Sequence, residues 1–213
     1  MKEGHRAEKE MNGKLKRILR FIYYLPSTLL NKFNYRFRHV MVGRGHETKG
    51  FLFIRVAAGG SIRIGDNVRI NSKASANPIG VGDRTYFQVL KGACLEIGDN
   101  TRMSNCAITA ATKVTIGNYV RIGAGVKIYD TDFHSLNPYD RTAVPEKGEA
   151  KKKPVVISDY AFIGAGSYIL KGVTIGRGAV VGAASVVTKD IPECEIWGGN
   201  PARKIGVVDT NTL

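Results

Sequence analysis

Of 213 residues, only three are cysteine, four are histidine and one is tryptophan. Cys94, Cys106 and Cys194 form no CxxC pair and leave an odd count. That excludes a disulfide framework and points to a reducing compartment. Long apolar runs are also missing. The longest near the start, Ile18 to Leu30, is interrupted by Arg20 and Pro26 and is too short to span a bilayer. No cleavable signal pattern precedes it, so the expectation is a soluble or peripheral chain. Acids are scarce beside bases, 18 against 32, for a net charge of +14. The imbalance is lopsided, with twelve Lys and Arg against four Asp and Glu in the first fifty residues. Neither a nucleic-acid-binding module nor a basic face interleaved with aromatics accompanies it, so no nucleic-acid partner is expected.

What is present is a period. Six hexads run unbroken from Ile157 to Pro192, starting on Ile157, Ile163, Ile169, Ile175, Val181 and Val187. The same register occurs at Ile64 and Ile70, at Ile97 and Met103, and at Ile116, Ile122 and Ile128. In eleven of these thirteen hexads the fifth position is small or Val: Val68, Ala74, Thr101, Ala107, Val120, Val126, Ala161, Ser167, Val173, Ala179 and Ser185. Asp132 and Ile191 are the exceptions. A six-residue period fits neither an amphipathic helix nor a plain alternating strand.

To bury the first and fifth positions of every hexad on one side, the chain must turn a corner every six residues. Gly follows the aliphatic residue in seven hexads, which suits a corner where neighbouring backbones approach closely. Three sides close a triangle, so a coil takes about eighteen residues and stacks on the next at roughly 4.8 Å. The architecture expected is an all-β solenoid of parallel strands over residues 51–192, followed by a C-terminal tail at 193–213. Ile97 to Ile116 is one residue more than a full coil, which predicts a bulge between Cys106 and Lys113. Residues 76–96 fit poorly and are expected to form a distorted coil.

Residues 1–50 read as a basic helical extension. Between 14 and 31, Leu15, Ile18, Ile22, Leu25 and Leu29 fall near one face, with Lys14, Lys16, Arg17 and Arg20 beside them. Two roles stay open, separately or together. The helix can cap the open strand edge of the first coil, or it can lie on a membrane surface.

The repeat is interrupted once in a way that suggests chemistry. Ile128 to Ile157 is one coil plus eleven residues, so a loop leaves the solenoid at about 130–153. A long loop on a rigid scaffold is a common place for function. His134, the only histidine of the repeat region, sits where the loop departs, near Asp130 and Asp132. Histidine is the side chain best placed to move a proton near neutrality. Asp132 can orient the imidazole or cap the loop turn. A lone repeat-region histidine cannot hold a catalytic zinc, so no metal is expected.

These hexads, the Asp130-Thr131-Asp132-Phe133-His134 string and the closing run Val187 to Pro192 with Trp197 to Lys204 resemble the hexapeptide-repeat acyltransferases. The likeness covers residues 60–206 and is nearest to the sugar and polysaccharide O-acetyltransferases. It implies a left-handed parallel β-helix, a handedness that ordinary parallel crossovers would not predict. It further implies acetyl-CoA as co-substrate in a groove between neighbouring solenoids, a C3 homotrimer, and His134 as general base. Ala165, Ala183, Thr188, Lys189 and Arg203 fall on cofactor-contacting positions, and Asn105 on a substrate-contacting one. Trp197 either stacks on adenine or plugs the open end of the solenoid. The sugar pocket is expected to draw on Tyr86, Phe133, Tyr139 and Arg141. The activity implied is acetylation of a sugar hydroxyl in bacterial surface polysaccharide synthesis, in the cytoplasm or on the inner face of the membrane. Two alternatives remain: N-acylation of an amino sugar nucleotide, and a non-catalytic solenoid scaffold docked on a membrane. Serine acetylation is disfavoured because that family carries a long helical N-terminal domain.

Overall fold

The computed structural model describes residues 2–79 and 84–209, excepting the side chains of residues 2–14, 16, 17 and 20. Helix α1, Lys2–Phe37, leads into a three-sided stack of strands. The first face holds Met41–Val42, Ser61–Ile64, Cys94–Ile97, Lys113–Ile116, Val155–Ile157 and Thr174–Ile175. The second holds Glu47–Lys49, Arg69–Asn71, Arg102–Ser104, Arg121–Ile122, Phe162–Ile163 and Val180–Val181, extended by Glu195–Gly198 and Arg203–Val207. The third holds Phe53–Val56, Tyr86–Val89, Ala107–Ala110, Lys127–Tyr129, Tyr168–Ile169 and Val186–Val187. Strands pair in parallel throughout, except for the antiparallel pair made by the two tail strands.

Register stacks like residues on like, which is how a thin core excludes water. Ile64, Ile97, Ile116, Ile157 and Ile175 line up on the first face. Ile54, Phe87, Ile108, Ile128, Ile169 and Val187 line up on the third. On the second face Ile70, Met103, Ile122, Ile163 and Val181 are continued downward by Trp197. Trp197 packs against the core, and its Nε1 donates to Glu195 Oε2 at 2.7 Å. It therefore plugs the open end of the stack. Corner glycines are obligatory where coils touch: a Cβ on Gly164 would meet the backbone N of Ala183 at 2.5 Å.

The upper end is closed by α1, which docks with polar rather than apolar residues. Asn31 is buried; its Nδ2 donates to Gly50 O at 2.8 Å and its Oδ1 accepts from Leu52 N at 3.0 Å. One amide thus satisfies two backbone groups at the corner between the second and third faces of the first coil. Tyr35 OH meets Thr48 Oγ1 at 2.9 Å and His46 Nε2 at 3.0 Å, above the second-face stack. Burial pushes the Tyr35 phenol up to about 12 and the His46 imidazole down to about 4.

Three expectations need correction. The stack begins at Met41, not residue 51, because Val42 and Thr48 already pair with Ile64 and Ile70. The distorted segment is narrower than 76–96. The chain leaves the coil after Ser72 and rejoins it at Thr85, whose N donates to Ser72 Oγ at 2.8 Å, so Tyr86–Val89 and Cys94–Ile97 are regular strands. Ala74 lies in that excursion and is exposed instead of inward. Finally, the odd residue near Cys106 is not a simple bulge. Asn105 turns the corner one residue early, with φ at 45°, so Cys106 takes the inward place expected of Ala107. The longer strand Ala107–Ala110 and the turn after it absorb the difference.

Candidate active site

The loop leaves the third face after Tyr129, and its root is built before its tip. Asp130 is wholly buried and accepts from the backbone N of Ala111, Thr112 and Lys113 at 2.6, 2.7 and 2.9 Å. Those bonds tie the root to the preceding coil. Lys153 N donates back to Asp130 O at 3.0 Å, and Asp132 N to Lys151 O at 3.0 Å, which makes a two-stranded stem. The Asp132 carboxylate pairs with Lys171 Nζ at 2.5 Å, across to the following coil. Asp132 thus ties the stem to the next coil, and the hydrogen bond of the His134 imidazole goes to another group.

That group is Glu146. Phe133 adopts a left-handed conformation, φ 66°, and packs edge-on against Tyr129 at 5.1 Å. This turn throws His134 outward. The chain then enters a short helix, α2 (Pro138–Thr142), capped by Asn137 and with proline in its first turn. Arg141 Nη1 donates to Ser135 O at 3.0 Å, and Lys147 N to Asp140 O at 3.0 Å. These bonds fold the polar run back so that Glu146 Oε2 lies 3.0 Å from His134 Nδ1 while Oε1 accepts from Ser135 N at 3.3 Å. The His134 hydrogen bond and the Ser135 amide hold the Glu146 carboxyl below the usual carboxylate range. An ionised Glu146 can only accept, so Nδ1 donates to it and the ring is held with Nε2 facing away from the carboxylate. The imidazole is 63% exposed and open to an acceptor.

Beside the loop, the third face presents a groove of about 320 Å³ lined by Phe53, Tyr86, Gln88, Thr109, Tyr129 and Phe133 among others. Tyr86 and Phe133 thus share one aromatic surface. Tyr139, 84% exposed, and Arg141, which staples the loop, are outside it.

The remaining predicted residues fall at three places. Asn105, Ala165 and Ala183 occupy the corner between the second and third faces, where Gly125 N donates to Asn105 O and Ala184 N to Ala165 O. Thr188 and Lys189 are exposed at the opposite corner, below the root of the loop. Arg203 is exposed on the last tail strand. Asn105 precedes strand Ala107–Ala110 and His134 follows the parallel strand Lys127–Tyr129, so the two sit at opposite ends of the third face. A strand length, roughly 10–15 Å, separates their corners. Among the cysteines, Cys106 is buried and its thiol is pushed up to about 12 by burial, which leaves it inert.

A left-handed parallel β-helix with one extruded, histidine-bearing loop defines the class of this protein. Residues 154–189 match the family model for the bacterial transferase hexapeptide of six repeats. A dTDP-4-amino-4,6-dideoxy-D-glucose acyltransferase of Escherichia coli is 30% identical over 153 residues, 67% of this chain and 80% of that protein. The chain belongs to the hexapeptide-repeat transferase family. A hexapeptide-repeat acetyltransferase from Vibrio cholerae, solved with acetyl coenzyme A, has a TM-score of 0.52 at 29% identity, covering 78% of this chain and 72% of that one. The match to other curated relatives spans about a quarter to a half of their length. One is the galactoside O-acetyltransferase of Lactococcus lactis, 38% identical over 111 residues, 51% of each chain.

Proposed function

We propose that this protein transfers an acetyl group from acetyl-CoA to a sugar hydroxyl, in the cytoplasm, during synthesis of a bacterial surface polysaccharide. The observation that carries the reading is the Glu146–His134 pair, in which Nδ1 donates to the carboxylate, next in sequence to Phe133 of the aromatic groove. Nε2 takes the acceptor's hydroxyl proton as the oxygen attacks the thioester carbonyl. The carbonyl oxygen becomes the oxyanion of a tetrahedral intermediate, held by a backbone N–H. Collapse breaks the C–S bond, and the imidazolium returns its proton to the departing thiolate. No covalent enzyme intermediate is required, in keeping with the inert Cys106.

Acetyl-CoA would lie along the corner of Ala165 and Ala183, whose small side chains let an amide-bearing arm approach the backbone. Thr188, Lys189 and Arg203 would meet its polar and phosphate groups. Because Asn105 and His134 stand at opposite edges of the third face, a complete site takes the loop of one protomer and the corner of the next. A closed C3 trimer provides three such sites.

A second reading is favoured by the Escherichia coli relative, whose name gives a dTDP-linked amino sugar as its substrate. N-acylation would use the same base and the same acyl donor. The test is CoA release from acetyl-CoA with a panel of neutral sugars, polysaccharide fragments and amino sugar nucleotides, comparing the intact protein with His134→Ala. Hydroxyl-dependent turnover that falls by roughly two to four orders of magnitude in the variant supports O-acetylation. Turnover confined to amino sugar nucleotides supports the second reading. Absence of acetyl-CoA binding defeats both and leaves the scaffold.

A further inference from the structure

Helix α1 docks through one face and leaves the other bare. Its buried positions, Tyr24, Asn31 and Tyr35, recur at helical spacing, and Asn31 and Tyr35 turn polar groups to the first coil. Leu15, Ile18, Ile22, Leu29 and Phe33 share the opposite side of the same helix, and each is more than half exposed. The usual arrangement of a surface helix, apolar face inward and polar face to water, is inverted. Such a stripe does not stay in water without cause.

Charge identifies what covers it. From Met11 to His46 the chain carries eight Lys and Arg and no Asp or Glu. Lys32 and Arg36 are exposed and follow Leu25 and Leu29 at i, i+4, i+7 and i+11, along the rim of the stripe. A second copy of this helix would bring the cations of the stripe together, since the acids of α1, Glu3, Glu8 and Glu10, all precede Leu15, where the stripe begins. An anionic bilayer surface answers both halves of the pattern, taking the apolar side chains below the headgroups and the rim cations at their level. No helix among the described residues is long and apolar enough to cross a membrane, and Pro26 interrupts this one, so it lies in the interface plane.

We propose that α1 is an in-plane anchor that binds this protein to anionic phospholipid through its solvent-facing stripe while Asn31 and Tyr35 hold it to the solenoid. The side chains of Lys14, Lys16, Arg17 and Arg20 fall outside the described residues, and their charges add to the attraction whatever their orientation.

The test is co-sedimentation of the full chain with vesicles of phosphatidylcholine, with and without about one-third phosphatidylglycerol. Binding is expected to the anionic vesicles and to weaken as salt is raised. Ile18→Asp, Ile22→Asp and Leu29→Asp together should lower the partition by roughly two orders of magnitude or more. These side chains are exposed, so the variant should keep the wild-type melting curve. Lys32→Gln with Arg36→Gln, which leaves the apolar stripe intact, should weaken binding about 20- to 30-fold. The anchor is overturned if the wild type binds no vesicles, or if the charge variant binds as the wild type does. It is equally overturned if the Asp variant changes only the oligomeric state, since the stripe would then be an interface between copies.

Discussion

The two ends of the solenoid bury the same kind of side chain in coils of different girth. From Ile157 to Pro192 strands are mostly two residues long, each contributes one large inward residue, and the corners between the second and third faces are Gly and Ala. Above the loop, most strands on the first and third faces are four residues long, and pairs such as Leu95 with Ile97 and Phe87 with Val89 turn inward from one strand. The third-face stack records the taper, with Phe87 near one end and Val187 at the other. Interiors are close-packed, so perimeter and side-chain volume must change together. The wide end has the outer surface for an aromatic groove and a docked helix; the narrow end has tight corners where backbone is close to solvent.

Exchanging volumes along that stack would break the taper, and this carries the largest expected effect. Phe87→Ala should cost about 3–5 kcal/mol by leaving a cavity in a wide coil. Val187→Phe should cost about 1–3 kcal/mol by overpacking a narrow one. Chemical denaturation of both variants checks the pair. A larger penalty at Val187 would mean that the lower coils, not the upper ones, set the stability of the stack.

Acid separates the two ends by a second route. His46 lies under α1 at the wide end, and burial lowers its imidazole from 6.5 to about 4. Above pH 6.5 it is neutral in both folded and unfolded chains and has no effect on the balance. Between pH 6.5 and 4 the unfolded chain takes a proton that the folded one refuses, so stability falls by about 3 kcal/mol and then levels off. Melting curves at pH 7.5 and 4.5 should therefore differ less in His46→Gln than in the wild type. An identical loss in both would assign the acid sensitivity to carboxylates instead.

The loop divides the two ends, and its two carboxylates make a smaller comparison of the same kind. Glu146 touches the imidazole and Asp132 touches Lys171. Glu146→Gln should lower kcat by roughly 10- to 100-fold with little change in KM, since an amide at that place no longer fixes the imidazole tautomer. Asp132→Asn should leave kcat within about threefold, because its effect is confined to the stem. If Asp132→Asn proved the more damaging, loop position rather than tautomer control would dominate.

The regular coils were readable because a period of six forces both strand and corner, and every Ile or Val from Ile157 to Val187 is where the period puts it. The wide coils were not, because two inward residues per strand lengthen a side without changing its apolar character. Thus Cys106 and Ala107 exchanged places once Asn105 turned the corner early. His134 was legible as a lone histidine at the mouth of a loop. Its partner was not, since Glu146 and Glu149 look alike in sequence. Only the bonds from Arg141 and Lys147, which fold the loop tip, bring Glu146 rather than its neighbour to the imidazole. That α1 caps the first coil was legible as one of two roles, but its docked face was not: the residues facing the solenoid are Asn and Tyr, and an apolar stripe in sequence says nothing about which side of a helix is covered.

The narrow end offers the finest distinction. Lys189 and Arg203 are both exposed, but Lys189 sits at the corner below the loop while Arg203 rides the tail strand on the second face. A CoA phosphate reached by both would have to be approached from two faces of the stack, or from two protomers. Each single change to Ala should raise KM for acetyl-CoA by about 3- to 10-fold at unchanged kcat, the effect of one charge-assisted contact at an exposed site. If the two residues grip the same phosphate, the double variant should lose less than the product of the singles. If they grip different phosphates, the losses should multiply. An Arg203→Ala protein with wild-type KM would take the tail strand out of the cofactor groove and leave Ala165 and Ala183 at one corner and Lys189 at the other to bind it.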